Sequence, residues 1–436
     1  MPSQSGIYHE DYASDMQLRP TTMQRIRQIA IVAAVLLMPF ILGSNELRIV
    51  NQVLIAAVGA VGLNILTGYT GQISLGQGAF LAIGAYGCGL MMAFFNVPWP
   101  IALLLGASIT AIIGGFFGLP SLRLKGLYLA VATLSAQVIV EWVIKRWDPI
   151  DGELDGRTTD ALNIPSNLLV NWQWVDANRW LATVGIVILI GAVLWVTWRL
   201  QSNFQRDRFM AYRYLLYVVV GLIVVFLSGL IVILQTPMLS LQDVFTEDWR
   251  LNGNEYAFYC FAMPVTILVI MAATNLFRTH IGRAFIAIRD QDIAAEVMGV
   301  NIFRYKVLSF MVSSFIVGLA GGMLALHSTA ISFERFTIEV SIEYLAMIII
   351  GGLGSVSGSV YGAAFIVILP ELLRTLGRTI AGTDPASLSQ FNRILPFAQQ
   401  GVFGAAILIT LIVESGGIRK IWQNTKDYFR LWPFEY

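Results

Sequence analysis

The sequence predicts an all-α, polytopic integral membrane protein with about 10–12 transmembrane helices and a glycine-rich re-entrant or broken-helix segment. Two observations carry this prediction. Hydrophobic residues make up 56% of the 436 residues and charged residues only 13%. Apolar runs that approach or exceed the roughly 20 residues needed to cross a bilayer also recur along the whole chain. No basic run with interleaved aromatic residues is present, so no nucleic-acid partner is expected.

The apolar runs are separated by polar loops whose charges give an orientation. Arg25 and Arg27 precede the first run and place the N-terminus in the cytoplasm. The loops 199–213 and 278–306 are then internal and basic, whereas 145–179 and 235–255 are external and acidic, as the positive-inside rule requires. The predicted runs are 29–43, 50–66, 79–95, 101–119, 127–144, 180–198, 214–234, 256–277, 305–326, 342–369 and 396–413.

The run 342–369 is too long for one crossing and contains several glycines. Irregular backbone survives at membrane depth only against protein or a wet cavity. We favour a segment that enters from outside, turns at the glycines and returns, because this keeps the basic C-terminal tail, 414–436, in the cytoplasm. A single tilted span is the alternative. The residues expected to shape the backbone here are Gly351, Gly352 and Gly354.

A second glycine-rich interruption, residues 68–78, joins the second and third runs. Gly71 and Gly76 are expected to shape its backbone. This segment has two interpretations that do not exclude each other. Its small residues can allow close helix packing, and its polar side chains can line a transport pathway. The candidate pathway residues of the two interruptions are Gln72, Ser74, Gln77, Ser355 and Ser357.

The polar segment 282–299 lies between two membrane-length runs and has the sequence of a short cytoplasmic helix. Asp290 or Asp292 can cap its first turn, and Gly299 can close its last turn in a left-handed conformation. Arg283 and Arg289 hold the segment on the cytoplasmic side. A helix that a membrane protein presents in this way is expected to dock on a partner.

Several chemistries find no support in the sequence. No apolar run has an ionisable residue near its centre, which argues against a proton-coupled carrier. The three histidines have no metal-ligand spacing, and no catalytic constellation is evident, so we expect neither an enzyme nor a metal or cofactor site in this chain. A P-loop motif is also absent. If ATP drives this protein, the ATPase is another chain.

Three long stretches carry a family resemblance: GYTGQISLGQGAFLAIGAY at 68–86, GRAFIAIRDQDIAAEVMGVN at 282–301 and SIEYLAMIIIGGLGSVSGSVYGAAFIVILPELLR at 341–374. Together with 122–134 and 306–322, they make the chain resemble the LivM-type permease subunits of bacterial ABC importers for branched-chain and other neutral or hydrophobic amino acids. That group also includes urea and short-amide permeases. The resemblance implies a transmembrane permease domain, 29–413, between the cytoplasmic tails 1–28 and 414–436.

The resemblance also implies that segment 282–299 contains the coupling helix that docks on an ATPase. The family pattern is Glu-Ala-Ala, three residues and Gly. Ala294, Ala295 and Gly299 match it, and Ile293 stands in place of the glutamate. Two alanines let the helix sit close in a groove of the ATPase, and the glycine lets the chain leave sharply. Charged residues around this core are expected to help couple it to the ATPase: Arg283, Arg289, Asp290, Asp292 and Glu296.

The implied assembly contains a homologous, LivH-like second permease, two cytoplasmic ATPases that hold ATP and Mg²⁺, and an extracytoplasmic solute-binding protein. It resides in the bacterial plasma (inner) membrane, in contact with lipid. Branched-chain or other neutral amino acids are the expected substrates, with urea or short amides as the alternative. An ion-coupled secondary transporter with broken helices is the rival from another class. Residues 180–234 are an additional helical hairpin whose basic inner turn suits anionic lipid.

Overall fold

The structure is a computed structural model that describes residues 38–39, 41–95, 97, 99–122, 126–146, 153–154, 157–158, 161–163, 255–328, 330–381, 385–413 and 416–431. The predicted N-terminal tail 1–28, most of the first apolar run and the extra hairpin 180–234 lie outside the described residues. The predicted C-terminal tail is described over 416–431.

The described chain is built almost entirely of helices. A five-residue π-helix, Ile65–Tyr69, continues the first helix, and 3₁₀ turns lie at Leu119–Leu122 and Phe333–Phe336. The α-helices are α1 Ser44–Asn64, α2 Gln77–Phe95, α3 Trp99–Gly118, α4 Leu127–Arg146, α5 Glu255–Leu276, α6 His280–Asp290, α7 Asp292–Val297, α8 Ile302–His327, α9 Ile338–Gly351, α10 Val356–Ala381, α11 Pro385–Val413 and α12 Gly417–Leu431.

The all-α, polytopic membrane fold predicted from the apolar runs is confirmed. Within the described residues, seven helices are long and apolar enough to cross a bilayer. Each overlaps one of the predicted runs, although Ser44–Tyr69 extends beyond 50–66 and Val356–Thr375 covers only the second half of 342–369. These helices are Ser44–Tyr69, Gln77–Phe95, Trp99–Gly118, Tyr128–Arg146, Glu255–Leu276, Ile302–His327 and Val356–Thr375.

The centre of the bundle is α8, which packs against α1, α2 and α3 through small residues. A Cβ added at Gly318 of α8 would lie 2.7 Å from Cβ of Thr110 and 3.0 Å from Cα of Ala107, both on α3. Gly84 of α2 likewise faces the backbone of Gly318. Because no side chain separates these backbones, the helices approach as closely as glycine-mediated membrane packing permits.

The long run 342–369 is broken as predicted. Helix α9 ends at Gly351, and α10 begins at Val356 and packs back against α9 as a helical hairpin. Two of the predicted backbone-shaping glycines occupy the left-handed region, with φ of +115° at Gly352 and +72° at Gly354. The third, Gly351, faces the backbone of Gly358 across the hairpin. Side chains at these positions would strain the turn or separate its arms.

The loops contain short β-strands that the sequence analysis did not predict. Strands β1 Glu153–Leu154 and β2 Arg157–Thr158 form one antiparallel pair. Strand β3, Ala161–Asn163, pairs with β4, Ala330–Ser332, which follows the end of α8. Strands of two or three residues are too short to show the period of two that identifies a strand in a sequence.

Candidate functional site

The segment expected to form one docking helix consists of two helices, α6 and α7, separated at Gln291. Helix α6 begins after Thr279, whose hydroxyl oxygen accepts a hydrogen bond from the Gly282 amide at 3.5 Å. It ends at Asp290, and Gln291 then adopts an extended conformation with φ −158° and ψ 107°. Helix α7 therefore leaves at an angle that a continuous helix could not provide.

The predicted aspartate cap of the docking helix was wrong. Gln291 occupies the position before α7 and makes no side-chain capping bond. The carboxylate of Asp290 instead pairs with the guanidinium of Arg289 at 3.0 Å, and Asp292 lies within the first turn of α7. A carboxylate in that first turn still interacts favourably with the helix dipole.

The predicted left-handed glycine at the other end of α7 is confirmed. Gly299 has φ +86°, and its amide donates to the Glu296 carbonyl at 2.9 Å. The following amide, of Val300, returns to the carbonyl of Ala295 at 3.0 Å. No described atom lies within 4 Å of a Cβ added at Gly299, so the requirement for glycine is one of backbone conformation rather than space.

Helix α7 exposes an apolar tip that we name the docking surface: Ile293, Val297 and Met298. Their exposed fractions are 72%, 83% and 84%. Ala294 and Glu296 are also exposed, as is Arg283 on α6. Ala295 is not, because its exposed fraction is 5% and it packs against its own chain. The expectation that Ala295 faces a groove of the ATPase is therefore not met in this structure, and the face that α7 presents carries larger apolar side chains.

Arg289 joins the α6–α7 loop to both glycine-rich interruptions. Its Nη1 donates a 2.9 Å hydrogen bond to the carbonyl oxygen of Gly68, at the end of the π-helix. A Cβ added at Gly71 would lie 3.0 Å from the Cγ of Arg289, and one added at Gly354 would lie 3.0 Å from its Nη1. Gly71 also has positive φ, +69°. Glycine at Gly71 therefore leaves room for the aliphatic part of the Arg289 side chain, and glycine at Gly354 leaves room for its guanidinium.

Asn64, which the sequence analysis did not select, links the same two interruptions from inside the bundle. Its side-chain amide donates to the Ser355 carbonyl at 2.8 Å and the Ser359 hydroxyl at 2.7 Å. Its Oδ1 accepts from the Gly354 amide at 2.9 Å. Asn64 is 1% exposed, so these bonds satisfy a buried amide. The sequence feature that could have identified Asn64 is its position as a polar residue within the apolar run 50–66.

The non-helical stretch between Gly71 and Gly76 is partly buried, with Gln72 and Ser74 inside the protein and Ile73 exposed, and it is held by polar side chains. The Leu75 amide donates to the Thr133 hydroxyl at 2.9 Å, and the Gly78 amide donates to the Ser341 hydroxyl at 2.8 Å. A Cβ added at Gly76 would lie 2.7 Å from the Thr133 carbonyl oxygen. Because backbone without helical bonds must be satisfied at membrane depth, these contacts explain how the interruption is tolerated.

Most of the candidate pathway residues are buried in this conformation. Gln72 donates to the Ser309 hydroxyl at 2.8 Å, and Gln77 donates to the Gly59 carbonyl at 3.0 Å. Ser74 is also buried, and its hydroxyl accepts from the Gly76 amide at 3.4 Å. These bonds support the packing interpretation of the segment.

The two candidates in the second interruption differ. The hydroxyl of Ser355 accepts from the Gly358 amide at 3.0 Å and is buried, whereas Ser357 is exposed and lies 3.3 Å from it, oxygen to oxygen. Ser355 therefore helps to form the turn into α10. A pathway-lining role for these residues in another conformation stays a prediction.

The opposite end of the bundle has a polar cluster that the sequence analysis also missed. The Glu255 carboxylate accepts from the Asn51 side-chain amide at 2.8 Å and lies 3.0 Å from Nε2 of His327. These residues lie on α5, α1 and α8. The cluster therefore holds three helices together at the end away from the docking surface.

Comparisons with known proteins agree with this architecture. A family profile described as "Branched-chain amino acid transport system / permease component" matches residues 45–411. The high-affinity branched-chain amino acid transport system permease proteins LivM of Salmonella typhimurium and Escherichia coli are each 25% identical over 354 residues, covering 81% of this chain and 69% of the relative.

A probable branched-chain amino acid transport permease protein LivH of Methanocaldococcus jannaschii is 28% identical over 126 residues, which cover 29% of this chain and 39% of the relative. No solved structure gives a significant match. The family profile spans most of the chain, including both glycine-rich interruptions and the docking surface. The chain therefore belongs to the permease component family of branched-chain amino acid transport systems.

Proposed function

We propose that this permease subunit forms half of the membrane pathway of an ATP-driven importer for branched-chain or other neutral amino acids, and that α7 docks on its ATPase. The observation that carries this proposal is the position of α7. It presents an exposed apolar tip, while Arg289, near the end of the preceding helix α6, donates to the Gly68 carbonyl at one break in the membrane helices and lies beside Gly354 at the other. A motion imposed on α7 thus has a direct route to the irregular parts of the bundle.

The apolar side chains of the docking surface are expected to be more stable when buried against a protein partner than when exposed to water. Ile293, Val297 and Met298 are largely exposed on one short helix, and burying side chains of this size stabilises an interface by about 1.5–3 kcal/mol each. Interface cores favour apolar side chains and methionine, with charges at the rim. Glu296 and Arg283 stand beside the apolar tip as exposed rim candidates. Ile293 replaces the glutamate of the family pattern with an apolar contact.

The partners follow from the same proposal. A LivH-like second permease completes the pathway, two ATPases bind ATP and Mg²⁺, and an extracytoplasmic protein captures the solute. In this arrangement the α6–α7 end faces the cytoplasm of a bacterial cell, and both termini lie on that side of the plasma membrane. The family assignment favours this importer over an ion-coupled carrier. Urea or a short amide is the alternative substrate.

The test is co-purification with the ATPase subunits, comparing wild type with Val297→Asp and Ile293→Asp. An ionised carboxylate does not fit an apolar interface, so we expect at least a tenfold loss of ATPase recovery with normal membrane insertion. Ile293→Leu is the matched control, since it keeps the apolar contact. Undiminished ATPase recovery with both aspartate variants would overturn the assignment of α7 as the docking element.

Substrate class is tested separately, by uptake into proteoliposomes that contain the complete importer and its binding protein. We expect ATP-dependent accumulation of leucine, isoleucine or valine. Accumulation of urea or acetamide in their place would move the alternative to first position. Uptake that needs an ion gradient and no ATPase would refute the importer proposal.

A further inference from the structure

Helix α12 separates apolar from basic residues along its length. In a helix, residues three, four, seven and eleven positions apart share a face. The positions that form a largely apolar face in this way are Ile418, Ile421, Trp422, Thr425 and Phe429. A row of basic residues follows one position further along the chain, at Arg419, Lys426 and Arg430. Over 417–431 the helix has four basic residues and one acidic residue, so its polar side is positively charged.

The first turn of α12 is fixed to the bundle at the break between α9 and α10. Gly417 has φ +66°, and a Cβ added there would lie 2.6 Å from the amide nitrogen of Gly352. Ile418 is partly buried and packs against the hydrophobic core. Because Gly354 in the same break lies beside Arg289, α12 begins at the end of the bundle that carries the docking surface.

Beyond this turn, the bundle covers little of α12. Every residue of 420–425 whose side chain the structure describes is exposed. Ile421, on the apolar face, is 45% exposed, and Gln423, on the opposite side, is exposed as well. Within the described part of the chain, the apolar face of α12 therefore has no cover after its first residue.

The chain that precedes α12 brings it close to the membrane surface. Helix α11 contains the apolar run 396–413, and Ile412 near its end is 81% exposed, as expected of a side chain in contact with lipid. Gly417 follows five residues later, and five residues span at most about 17 Å when fully extended. Helix α12 therefore begins within reach of the lipid headgroups.

The residue types of α12 match a membrane surface. A helix that lies in the headgroup layer places Trp, Phe and Leu towards the acyl chains and Lys and Arg towards the phosphates. Trp422 and Phe429 stand at apolar positions, and the basic row extends beside them over about three turns. A protein interface of the docking-surface type instead has a compact apolar core with charges around it. The pattern of α12 thus favours anionic lipid over the ATPase.

We infer that α12 lies on the cytoplasmic membrane surface and binds anionic phospholipid there. Its apolar face enters the boundary between headgroups and acyl chains, and Arg419, Lys426 and Arg430 provide positive charge to the lipid phosphates. From the proposed function this inference takes only the cytoplasmic orientation of this end. Since the start of α12 contacts the break between α9 and α10, lipid binding holds that break at a fixed depth in the membrane.

The test uses the full-length chain with its second permease in nanodiscs, with and without the ATPases. A nitrobenzoxadiazole label is attached through Thr425→Cys in a background of Cys88→Ala and Cys260→Ser. In nanodiscs that contain phosphatidylglycerol, we expect blue-shifted emission and quenching by doxyl-labelled lipid, because position 425 shares the apolar face. The same label through Gln423→Cys, on the opposite side of the helix, is the matched control and should keep the emission of a dye in water.

The contribution of charge is measured by varying the fraction of phosphatidylglycerol. Each basic residue near an anionic surface strengthens binding about fivefold. Lys426→Gln combined with Arg430→Gln should therefore lower the ratio of surface-bound to free α12 by roughly 25-fold. Arg304→Gln, at an exposed residue near the start of α8, is the control and should leave this ratio unchanged.

Three results would overturn the inference: aqueous emission from the label at 425 in phosphatidylglycerol, an equal blue shift in pure phosphatidylcholine, or a blue shift that requires the ATPases. The last result would assign the apolar face of α12 to the ATPase. Val297→Asp and Ile293→Asp alter only α7 and should leave the fluorescence unchanged. Absent lipid contact with normal ATPase recovery rejects this inference alone, whereas undiminished ATPase recovery by both aspartate variants rejects the docking role of α7 and leaves the lipid result standing.

Discussion

The guanidinium of Arg289 donates a 2.9 Å hydrogen bond to the carbonyl oxygen of Gly68, which joins the end of α6 to the last turns of the first membrane span. The π-helix at that point has carbonyls displaced from the regular α-helical ladder, so an outside donor can reach one of them. Arg289 also carries the Asp290 carboxylate at 3.0 Å. The arginine thus connects the α6–α7 loop to the membrane helices of its own chain, whereas the family resemblance implied a contribution to coupling with the ATPase.

Replacing Arg289 should uncouple transport from ATP hydrolysis while leaving the ATPase bound. Hydrogen bonds from charged groups contribute about 1.5–3 kcal/mol, so Arg289→Ala should lower ATP-driven uptake by about tenfold or more. Arg289→Lys keeps the positive charge but loses the planar guanidinium group, so its ATP-driven uptake should lie between those of wild type and Arg289→Ala. The measurement is uptake per ATP hydrolysed in proteoliposomes. Loss of ATPase co-purification with Arg289→Ala would assign the residue to docking.

Asn64→Leu should destabilise the membrane domain by about 3 kcal/mol, because the Gly354 amide and the Ser355 carbonyl lose a buried partner. Thermal melting in detergent measures the loss. Ser108→Ala is the matched control, since this exposed hydroxyl donates only to the Leu104 carbonyl of its own helix. A melting temperature equal to wild type for Asn64→Leu would show that water or lipid replaces the network.

Glycine-to-alanine substitutions should lower stability where two helix backbones touch and have little effect where the glycine lies on an open surface. Gly84→Ala places a methyl group against the backbone of Gly318 and should cost about 1–3 kcal/mol by overpacking. Gly404→Ala puts the same methyl group where no described atom lies within 4 Å, so it should be neutral or slightly stabilising. Melting temperatures of the two variants give the comparison. Equal effects would mean that α2 and α8 can move apart without cost.

Gly299 should tolerate asparagine better than alanine or valine. Its φ of +86° is strained for residues with a Cβ, at about 1–2 kcal/mol, and asparagine is the side chain that best accepts this region. Since the site is open, size alone should matter little. ATPase co-purification should therefore rank glycine, asparagine, alanine and valine in decreasing order. A ranking by side-chain volume instead would place Gly299 inside the docking interface.

The sequence predicted what depends on local pattern. Apolar runs of membrane length identified the spans, and the glycines at 351–354 identified the break between α9 and α10, because both signals lie within a few neighbouring residues. Gly299 was predicted as a left-handed helix end for the same reason. These features need no knowledge of what packs against them.

What the sequence could not predict depends on distant contacts. The side on which Ala295 lies is decided by how α7 seats on its own bundle, and the family pattern alone suggested the opposite side. The partners of Asn64 are about 290 residues away in the chain. The burial of Gln77 likewise depends on its bond to Gly59. Contacts of this kind form only when the bundle assembles. Their signal in the sequence is weak, such as one polar residue among apolar ones.

The contact between Gly84 and Gly318 also limits how this subunit can move. Two helices whose backbones touch cannot slide past each other without first separating, because the ridges formed by flanking side chains interlock on both sides. Helices α2, α3 and α8 therefore behave as one rigid body. A displacement of α7 can then be accommodated in two ways: the rigid body tilts as a whole, or the chain bends at the non-helical residues 71–76. An importer built in this way transmits force by rotation and hinge bending rather than by the axial sliding of a single helix.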